Sequence, residues 1–297
     1  MRLAMQTEWM SNTYGDEMTL RHMAKAGFDA TDWTFSEMLL AEHSIWCTDD
    51  WKAHADHLKQ VGRECGIGFS QAHAPFPYPG KPEPFDSHTM DCIIRSIEAA
   101  AYLGADTIVV HPMQHMPYLK NKQYLDDLNL EMYRNLIPYA RKFGIRICLE
   151  NLNQYDGNRR VGCIGVCCDP KDFCALVDAL DSEWIAACVD VGHSALAGVD
   201  PADLIRALGH DRLKALHIHD VDHLRDCHTI PFLQKLDWDS ITSALAEIDY
   251  TGDFALETDN FLYYLPPVLR ADSLNLIAAT GQYLIDMIET KKSLAVG

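Results

Sequence analysis

The feature that most constrains the fold of this chain is a regular alternation of short apolar runs with longer amphipathic segments. Eight runs rich in β-branched or apolar residues have the length of single β-strands, and segments with helical periodicity separate them. This order of elements predicts parallel strands joined by helices. The runs span residues 2–9, 28–34, 67–73, 106–112, 144–150, 185–191, 213–220 and 253–258, and the helical segments span 16–26, 50–65, 86–103, 124–143, 170–181, 201–208, 238–247 and 269–290.

Eight strand–helix units in 297 residues predict an α/β fold of the closed (β/α)8 type, a TIM barrel that forms a single domain over residues 1–297. The alternative is a doubly wound open sheet, which usually carries a glycine-rich phosphate turn after its first strand. The corresponding stretch, "TEWMSNTYG", has no such turn. Two helix starts are marked locally, because Asp169-Pro170 and Asp200-Pro201 each place a capping residue before proline.

The composition restricts the kinds of molecule that the protein is expected to bind. The net charge of −18 disfavours binding to nucleic acid, because a negative surface repels phosphate backbones. No apolar stretch reaches the ~20 residues of a membrane span, and the start "MRLAMQTEWM" does not have the order of a signal peptide. The ten cysteines are then typical of reduced thiols, which predicts a cytoplasmic protein without a membrane partner.

Ionisable residues recur at the carboxyl ends of strands three to eight. In a parallel barrel these ends meet at one mouth, so residues far apart in sequence should converge there. Side-chain alternation also turns them inward, because the apolar residues of "IRICLE", "KALHIHD" and "DFALET" take the face toward the helices. The converging residues are His73, His111, Glu150, Asp190, His217, His219 and Glu257.

Three carboxylates at one buried point would cost several kcal/mol each unless they are compensated. No lysine or arginine ends any of these strands, so a divalent metal ion is the better compensation. The oxygen-rich set suits Mn²⁺, Mg²⁺ or Co²⁺, and the added imidazoles suit Zn²⁺ or Fe²⁺. A metal-free, hydrogen-bonded core is the alternative.

A further set of ligand-like residues surrounds this predicted metal site. His193 follows Asp190 by three positions, and Asp226 and His228 form the D-x-H of "RDCH". Two roles stay open for these residues together with His73 and His111. They hold one or two additional metal ions, or they bind substrate hydroxyls and orient the ligands.

Five motifs taken in order resemble the xylose isomerase-like barrel superfamily: "VVHP", "CLEN", "VDVGH", "HIHDVD…DCH" and "LET". The superfamily contains sugar-phosphate isomerases and epimerases, ketohexose 3-epimerases, inosose dehydratase and endonuclease IV. The resemblance covers essentially the whole chain. It implies a metal-dependent enzyme whose partner is a small sugar or sugar phosphate, and a homo-oligomer is compatible with it.

Residue by residue, the resemblance implies that Glu150, Asp190, His217 and Glu257 bind the metal and that the two glutamates act as acid and base. His193 matches a position that binds a substrate oxygen. One position departs from the epimerase pattern, because His223 stands where those enzymes carry an arginine, with Arg225 two residues further on. The other expected substrate contacts are His73, His111, His219 and Trp9.

The implied reaction is isomerisation or epimerisation by proton transfer next to a carbonyl, through a metal-stabilised enediolate. One alternative is a dehydratase or lyase acting on a keto-sugar or inosose. The other is an abasic-site nuclease resembling endonuclease IV, against which the net charge of −18 argues. Its three-zinc pattern is matched by His73, His111, Glu150, Asp190, His193, His217, Asp226, His228 and Glu257.

Overall fold

Eight parallel strands form the centre of the fold, as the alternating sequence pattern predicts. The computed structural model describes residues 1–40, 44–77 and 86–295. The barrel strands are β1 (Leu3–Gln6), β2 (Ala30–Thr34), β3 (Gly68–His73), β4 (Thr107–Val110), β5 (Arg146–Glu150), β8 (Ile185–Asp190), β9 (Leu213–His217) and β10 (Phe254–Leu256), and an antiparallel hairpin comprises β6 (Asn153–Asp156) and β7 (Val161–Ile164).

Helices connect the strands and cover the outside of the barrel. They are α1 (Glu8–Tyr14), α2 (Asp16–Ala26), α3 (Glu37–Leu40), α4 (Trp51–Cys65), α5 (Ser87–Leu103), α6 (Tyr118–Phe143), α7 (Pro170–Leu180), α8 (Val191–Leu196), α9 (Pro201–Arg212), α10 (Trp238–Glu247), α11 (Asp259–Tyr264) and α12 (Pro267–Ala295), with a short 3₁₀ helix at Ile45–Cys47. None of the helices in the described ranges has the length and apolarity needed to cross a membrane.

The barrel closes between β9 and β10. The hydrogen-bonded order is β10-β1-β2-β3-β4-β5-β8-β9, with every pair parallel. A parallel bridge between Ile218 and Leu256 joins β9 to β10, with Ile218 N–H donating to the Ala255 carbonyl at 2.9 Å. The predicted (β/α)8 architecture is confirmed.

Strand pleating separates an inner face of small side chains from an outer face of large ones. Leu149, Leu216 and Leu256 belong to the large apolar core between strands and helices, as predicted. Small inner residues leave the upper barrel free for longer polar side chains. The two inner clusters are Val109, Cys148, Ala186, Cys188 and Ala215, and Ala4, Ala30 and Ala255.

Helix caps follow the predicted chemistry. The Asp169 carboxylate accepts the backbone N–H of Lys171 and Asp172, and the Asp200 carboxylate accepts that of Ala202. These bonds satisfy backbone donors that a helix start otherwise leaves unpaired. The ten cysteines, all within the described ranges, are free thiols.

Several boundaries differ from the sequence prediction. The run 2–9 is not one strand, because β1 ends at Gln6 and α1 begins at Glu8. The helix expected from residue 124 begins at Tyr118, ahead of a kink at Asn121 that interrupts the helical dihedral angles. Residues 151–168, which the sequence pattern assigns to no strand or helix, contain the hairpin β6–β7. Of residues 74–85, which the pattern also leaves without a strand or helix, residues 78–85 lie outside the described residues.

Asp220 organises the loop that leaves β9. Its side chain is completely buried. The carboxylate accepts the backbone N–H groups of Val221 (2.9 Å), Gln234 (3.0 Å) and Leu236 (3.1 Å), and the indole N–H of Trp238 at 3.3 Å. One carboxylate therefore fixes both ends of the loop that carries Asp226 and His228.

We expect Asp220→Ala to lower the free energy of unfolding by about 3 kcal/mol or more, because it leaves several buried N–H donors without an acceptor. Urea denaturation of the purified protein measures the change. The control Asp286→Ala removes an exposed carboxylate from α12 and should stay within about 0.5 kcal/mol of the parent. Equal effects of the two substitutions would contradict this role of Asp220.

Candidate metal centre and active site

Four ionisable side chains from four strands meet at the carboxyl end of the barrel. Glu150 ends β5, Asp190 ends β8, His217 ends β9 and Glu257 follows β10. Their exposed fractions are 1%, 0%, 0% and 7%, respectively. The sequence predicts this convergence, and the structure brings the four residues to one place.

Glu150 lies at the middle of the cluster. Its Oε2 atom is 3.0 Å from His111 Nε2, 3.1 Å from His217 Nδ1 and 3.7 Å from His73 Nε2. Its Oε1 atom is 3.2 Å from His193 Nδ1. Burial alone would raise the pKa of Glu150, but His111 and His217 outweigh burial and hold the pKa well below the usual range. Glu150 is therefore an ionised carboxylate surrounded by imidazoles.

His73 and His111 face each other beside Glu150. Their Nε2 atoms are 3.1 Å apart, so at least one of the two rings presents a lone pair rather than a proton. Burial lowers the pKa of His111. Burial also opposes the charged form of His73, but Glu150 raises the pKa of His73 above its ordinary value. Phe76 covers both rings, with centroid distances of 5.7 and 4.7 Å.

Glu257 approaches the same nitrogen of His217 as Glu150 does. The Gln6 side chain donates from Nε2 to Glu257 Oε1 at 2.8 Å, which fixes the carboxylate. The other oxygen, Oε2, lies 3.4 Å from His217 Nδ1 and 3.7 Å from His228 Nδ1. Burial opposes the charged form of His217, but Glu257 and Glu150 outweigh it and raise the pKa of His217 well above its ordinary value.

Asp190 is held by contacts on every side. Its carboxylate caps α8 by accepting His193 N–H at 2.7 Å, and its two oxygens lie 2.9 and 3.1 Å from His219 Nε2. The Asn151 side chain pairs with the Asp190 backbone at 2.8 and 2.9 Å. Burial would raise the pKa of Asp190, but His193 and His219 lower it to about 2. The position and charge of this carboxylate are thereby fixed.

The loop after β9 returns to the site and brings two further ligand-type residues. Asp226 lies 3.5 Å from His193 Nε2 through Oδ2 and 3.1 Å from His228 Nε2 through Oδ1. His228 stacks on His219 with ring centroids 3.9 Å apart. Burial would lower the pKa of His228, but Glu257 and Asp226 raise it to about 10.

The donor set fits a metal ion on geometric grounds. Glu150 Oε2, Glu257 Oε2 and His217 Nδ1 are buried without a hydrogen-bond partner in the described part of the chain. Buried polar atoms without partners are costly, and a cation would satisfy all three. Two outer triads have ligand atoms within 4.8 Å of one another, and they comprise His73, His111 and Glu150, and His193, Asp226 and His228.

The remaining predicted contacts lie around this centre. His219 is fully buried against Asp190, which favours a role in orienting that carboxylate over direct contact with a substrate. Trp9 is half-buried on α1 and packs on Tyr263 at 4.8 Å. His223 and Arg225 are exposed, and the Arg225 guanidinium is bound by Asp222 at 2.7 Å.

Sequence reasoning missed three polar residues on the first three strands. Gln6 supports Glu257, and Asp32 lies 3.2 Å from His217 Nε2 through Oδ2. Gln71 donates to the same Asp32 oxygen at 2.7 Å. The sequence does mark two of these residues, because "FDATDWT" and "FSQAH" place the polar side chains of Asp32 and Gln71 among apolar strand residues. Asp32 and Gln71 each stand two residues before the end of their strand, whereas the predicted ligands stand at the ends of strands three to eight.

The fold and this centre define a class of protein, a (β/α)8 barrel with carboxylates and imidazoles buried at the carboxyl ends of its strands. The chain belongs to the xylose isomerase-like TIM barrel family, whose sequence profile matches residues 20–278. The resemblance carried by the five sequence motifs is thus confirmed.

Several relatives by sequence are named as uncharacterized proteins. One from Methanocaldococcus jannaschii is 27% identical over 176 residues, covering 58% of this chain and 57% of that protein. One from Sinorhizobium fredii is 28% identical over 173 residues, covering 57% and 52%. The chain thus matches about half the length of these two relatives. One from Mycobacterium leprae is 24% identical over 256 residues, covering 81% and 83%.

Solved structures share the fold at low sequence identity. A D-tagatose 3-epimerase-like protein superposes with a TM-score of 0.73 at 19% identity, covering 98% of this chain and 99% of that one. D-psicose 3-epimerase in the presence of D-fructose has a TM-score of 0.71 at 16% identity, covering 96% and 99%. The IolI protein with a bound zinc atom has a TM-score of 0.72 at 15% identity, covering 98% and 99%.

Gly192 allows His219 to reach Asp190, and we expect Gly192→Ala to be destabilising. A Cβ atom at residue 192 would lie 2.1 Å from His219 Cε1, and overpacking of this kind costs about 1–3 kcal/mol. Urea denaturation measures the loss, which should largely disappear when His219→Ala is combined with it. Gly157→Ala is the control, because a Cβ atom added at residue 157 would meet no described atom within 4 Å. Additive losses in the double variant would contradict the clash.

Proposed function

We propose that the protein is a divalent-metal-dependent sugar isomerase or epimerase. The observation that carries the proposal is the pair of buried glutamates, Glu150 and Glu257, whose unpartnered oxygens lie 3.1 and 3.4 Å from the same atom, His217 Nδ1. Two carboxylates at one site can remove and return a proton. The similarity in fold to proteins named as sugar epimerases, and to a zinc-bound protein, supports the same assignment.

Glu150, Asp190, His217 and Glu257 are the residues that would hold the ion. Each offers an oxygen or nitrogen atom of the kind that Mn²⁺, Co²⁺, Zn²⁺, Mg²⁺ or Fe²⁺ binds. When bound there, such an ion supplies Lewis acidity to the oxygens that flank the reacting carbon.

The chain's own residues supply the rest of the chemistry. One of Glu150 and Glu257 takes the proton from the carbon beside the carbonyl, and the same or the other carboxylate returns it. Gln6 fixes Glu257 Oε1, which leaves Oε2 as the oxygen that faces the site. His193 is positioned to bind a substrate oxygen from its place between Glu150 and Asp226. Phe76 covers the adjoining imidazoles and limits their access to water.

A second candidate function is phosphodiester cleavage at abasic DNA through three zinc ions. The two outer triads of His73, His111 and Glu150 and of His193, Asp226 and His228 favour it, because each has ligand atoms within 4.8 Å of one another. The net charge of −18 opposes it, since DNA binding depends on lysine and arginine contacts with phosphate. We therefore place it second.

Hydrogen exchange tests the leading proposal. Incubation of the metal-loaded protein with a panel of keto-sugars in D₂O should incorporate deuterium at the carbon beside the carbonyl, as measured by NMR. We expect Glu150→Gln and Glu257→Gln each to reduce the rate at least ~100-fold, because each removes a carboxylate that transfers a proton.

The exposed variant Glu131→Gln on α6 is the matched control and should exchange at the parent rate. Exchange that persists in both active-site variants would refute the assignment of acid and base. Cleavage of an abasic duplex without exchange into any keto-sugar would favour the nuclease.

A further inference from the structure

Asp32 brings a carboxylate from β2 to His217 Nε2, the ring nitrogen that does not face Glu150 and Glu257. The Asp32 side chain points into the barrel and is 1% exposed. Its Oδ2 atom accepts the Gln71 side-chain N–H at 2.7 Å and lies 3.2 Å from His217 Nε2. Gln71 also donates to the Leu216 carbonyl at 3.2 Å, which links the amide to the strand that carries His217.

The two nitrogens of the His217 ring therefore face different groups. Nε2 faces Asp32, whereas Nδ1 lies 3.1 Å from Glu150 Oε2 and 3.4 Å from Glu257 Oε2. Neither ring nitrogen of His217 makes a hydrogen bond with the described residues, so these contacts are close approaches without hydrogen-bond alignment. The ring thus has one carboxylate behind it and two in front.

A carboxylate at one imidazole nitrogen keeps the proton on that nitrogen and leaves the lone pair on the other. When a cation occupies the site, His217 would carry its proton on Nε2, toward Asp32, and present the Nδ1 lone pair on the side of Glu150 and Glu257. We propose that Asp32, oriented by Gln71, is a positioning residue that sets the tautomer and direction of His217 as a nitrogen ligand. This inference rests on the metal site of the proposed function.

Cobalt binding tests the inference without any assay of activity. The metal-free protein is titrated with Co²⁺, affinity is read by competition with a chelator, and the absorption band of the bound ion reports its ligands. We expect Asp32→Asn to weaken Co²⁺ binding about 10–100-fold, as loss of a partner to a ligating histidine does elsewhere. Its visible absorption should shift as well.

A double-mutant cycle separates positioning from general support of the fold. In the background of His217→Ala, adding Asp32→Asn should change the affinity less than about twofold, because the ring through which Asp32 acts is gone. The matched control Asp253→Asn removes a buried carboxylate that pairs with Arg2 at 2.7 Å, just before β10 at the opposite end of the barrel. It should bind Co²⁺ within about twofold of the parent.

Equal affinity of Asp32→Asn and the parent, or an undiminished effect of Asp32→Asn in the His217→Ala background, would overturn the proposal. If Asp32→Asn fails to fold by circular dichroism, Gln71→Met provides the same cycle, with a smaller loss expected. Failure of the parent to bind Co²⁺ would refute this inference together with the metal site. Normal Co²⁺ binding without exchange into any sugar would refute only the proposed reaction.

Discussion

The burial of three carboxylates at one point is the constraint on which the rest of the structure depends. Glu150, Asp190 and Glu257 are almost completely inaccessible at the barrel mouth, and like charges at such distances repel strongly in a medium of low polarity. Histidines surround each of them and partly balance the charge, as the lowered pKa values of Glu150 and Asp190 indicate. Glu150 Oε2 and Glu257 Oε2 lie 3.1 and 3.4 Å from His217 Nδ1, and none of these three atoms has a hydrogen-bond partner among the described residues, so a cation there would complete the compensation.

The barrel supplies the rigidity that such a cluster needs. Small residues such as Cys148, Cys188 and Ala215 fill the interior below it. Each ligand-type residue then occupies the next inward position along its strand, where neighbouring strands restrict its movement. The loop after β9 extends the same arrangement, because Asp220 anchors the segment that carries Asp226 and His228. The hydrogen bonds of Asp220 therefore hold in place a loop that contributes two residues to the candidate metal site.

Site residues could be predicted from the sequence where a charged side chain interrupts an apolar strand. Charged residues in apolar strands stand out, so Glu150 and His217 were identified by pleat and position alone, and their convergence is observed. The polar supports were harder to identify. Gln6 and Gln71 carry no charge, and Asp32 lies two residues before the end of its strand, so their pairing with Glu257 and His217 depends on how neighbouring strands align. Short helices such as α8 also escaped prediction, because a six-residue helix capped by Asp190 spans less than two helical periods.

The central claim is that Glu150, Asp190, His217 and Glu257 bind a metal ion. Anomalous diffraction from crystals of the protein equilibrated with Co²⁺ or Zn²⁺ tests it most directly. The account predicts a strong anomalous peak within bonding distance, about 2.0–2.3 Å, of oxygen or nitrogen atoms of these four side chains. Further peaks at the two outer triads would show a site of more than one ion. A map without a peak at the four residues, while the metal is present in the crystal, would contradict the claim.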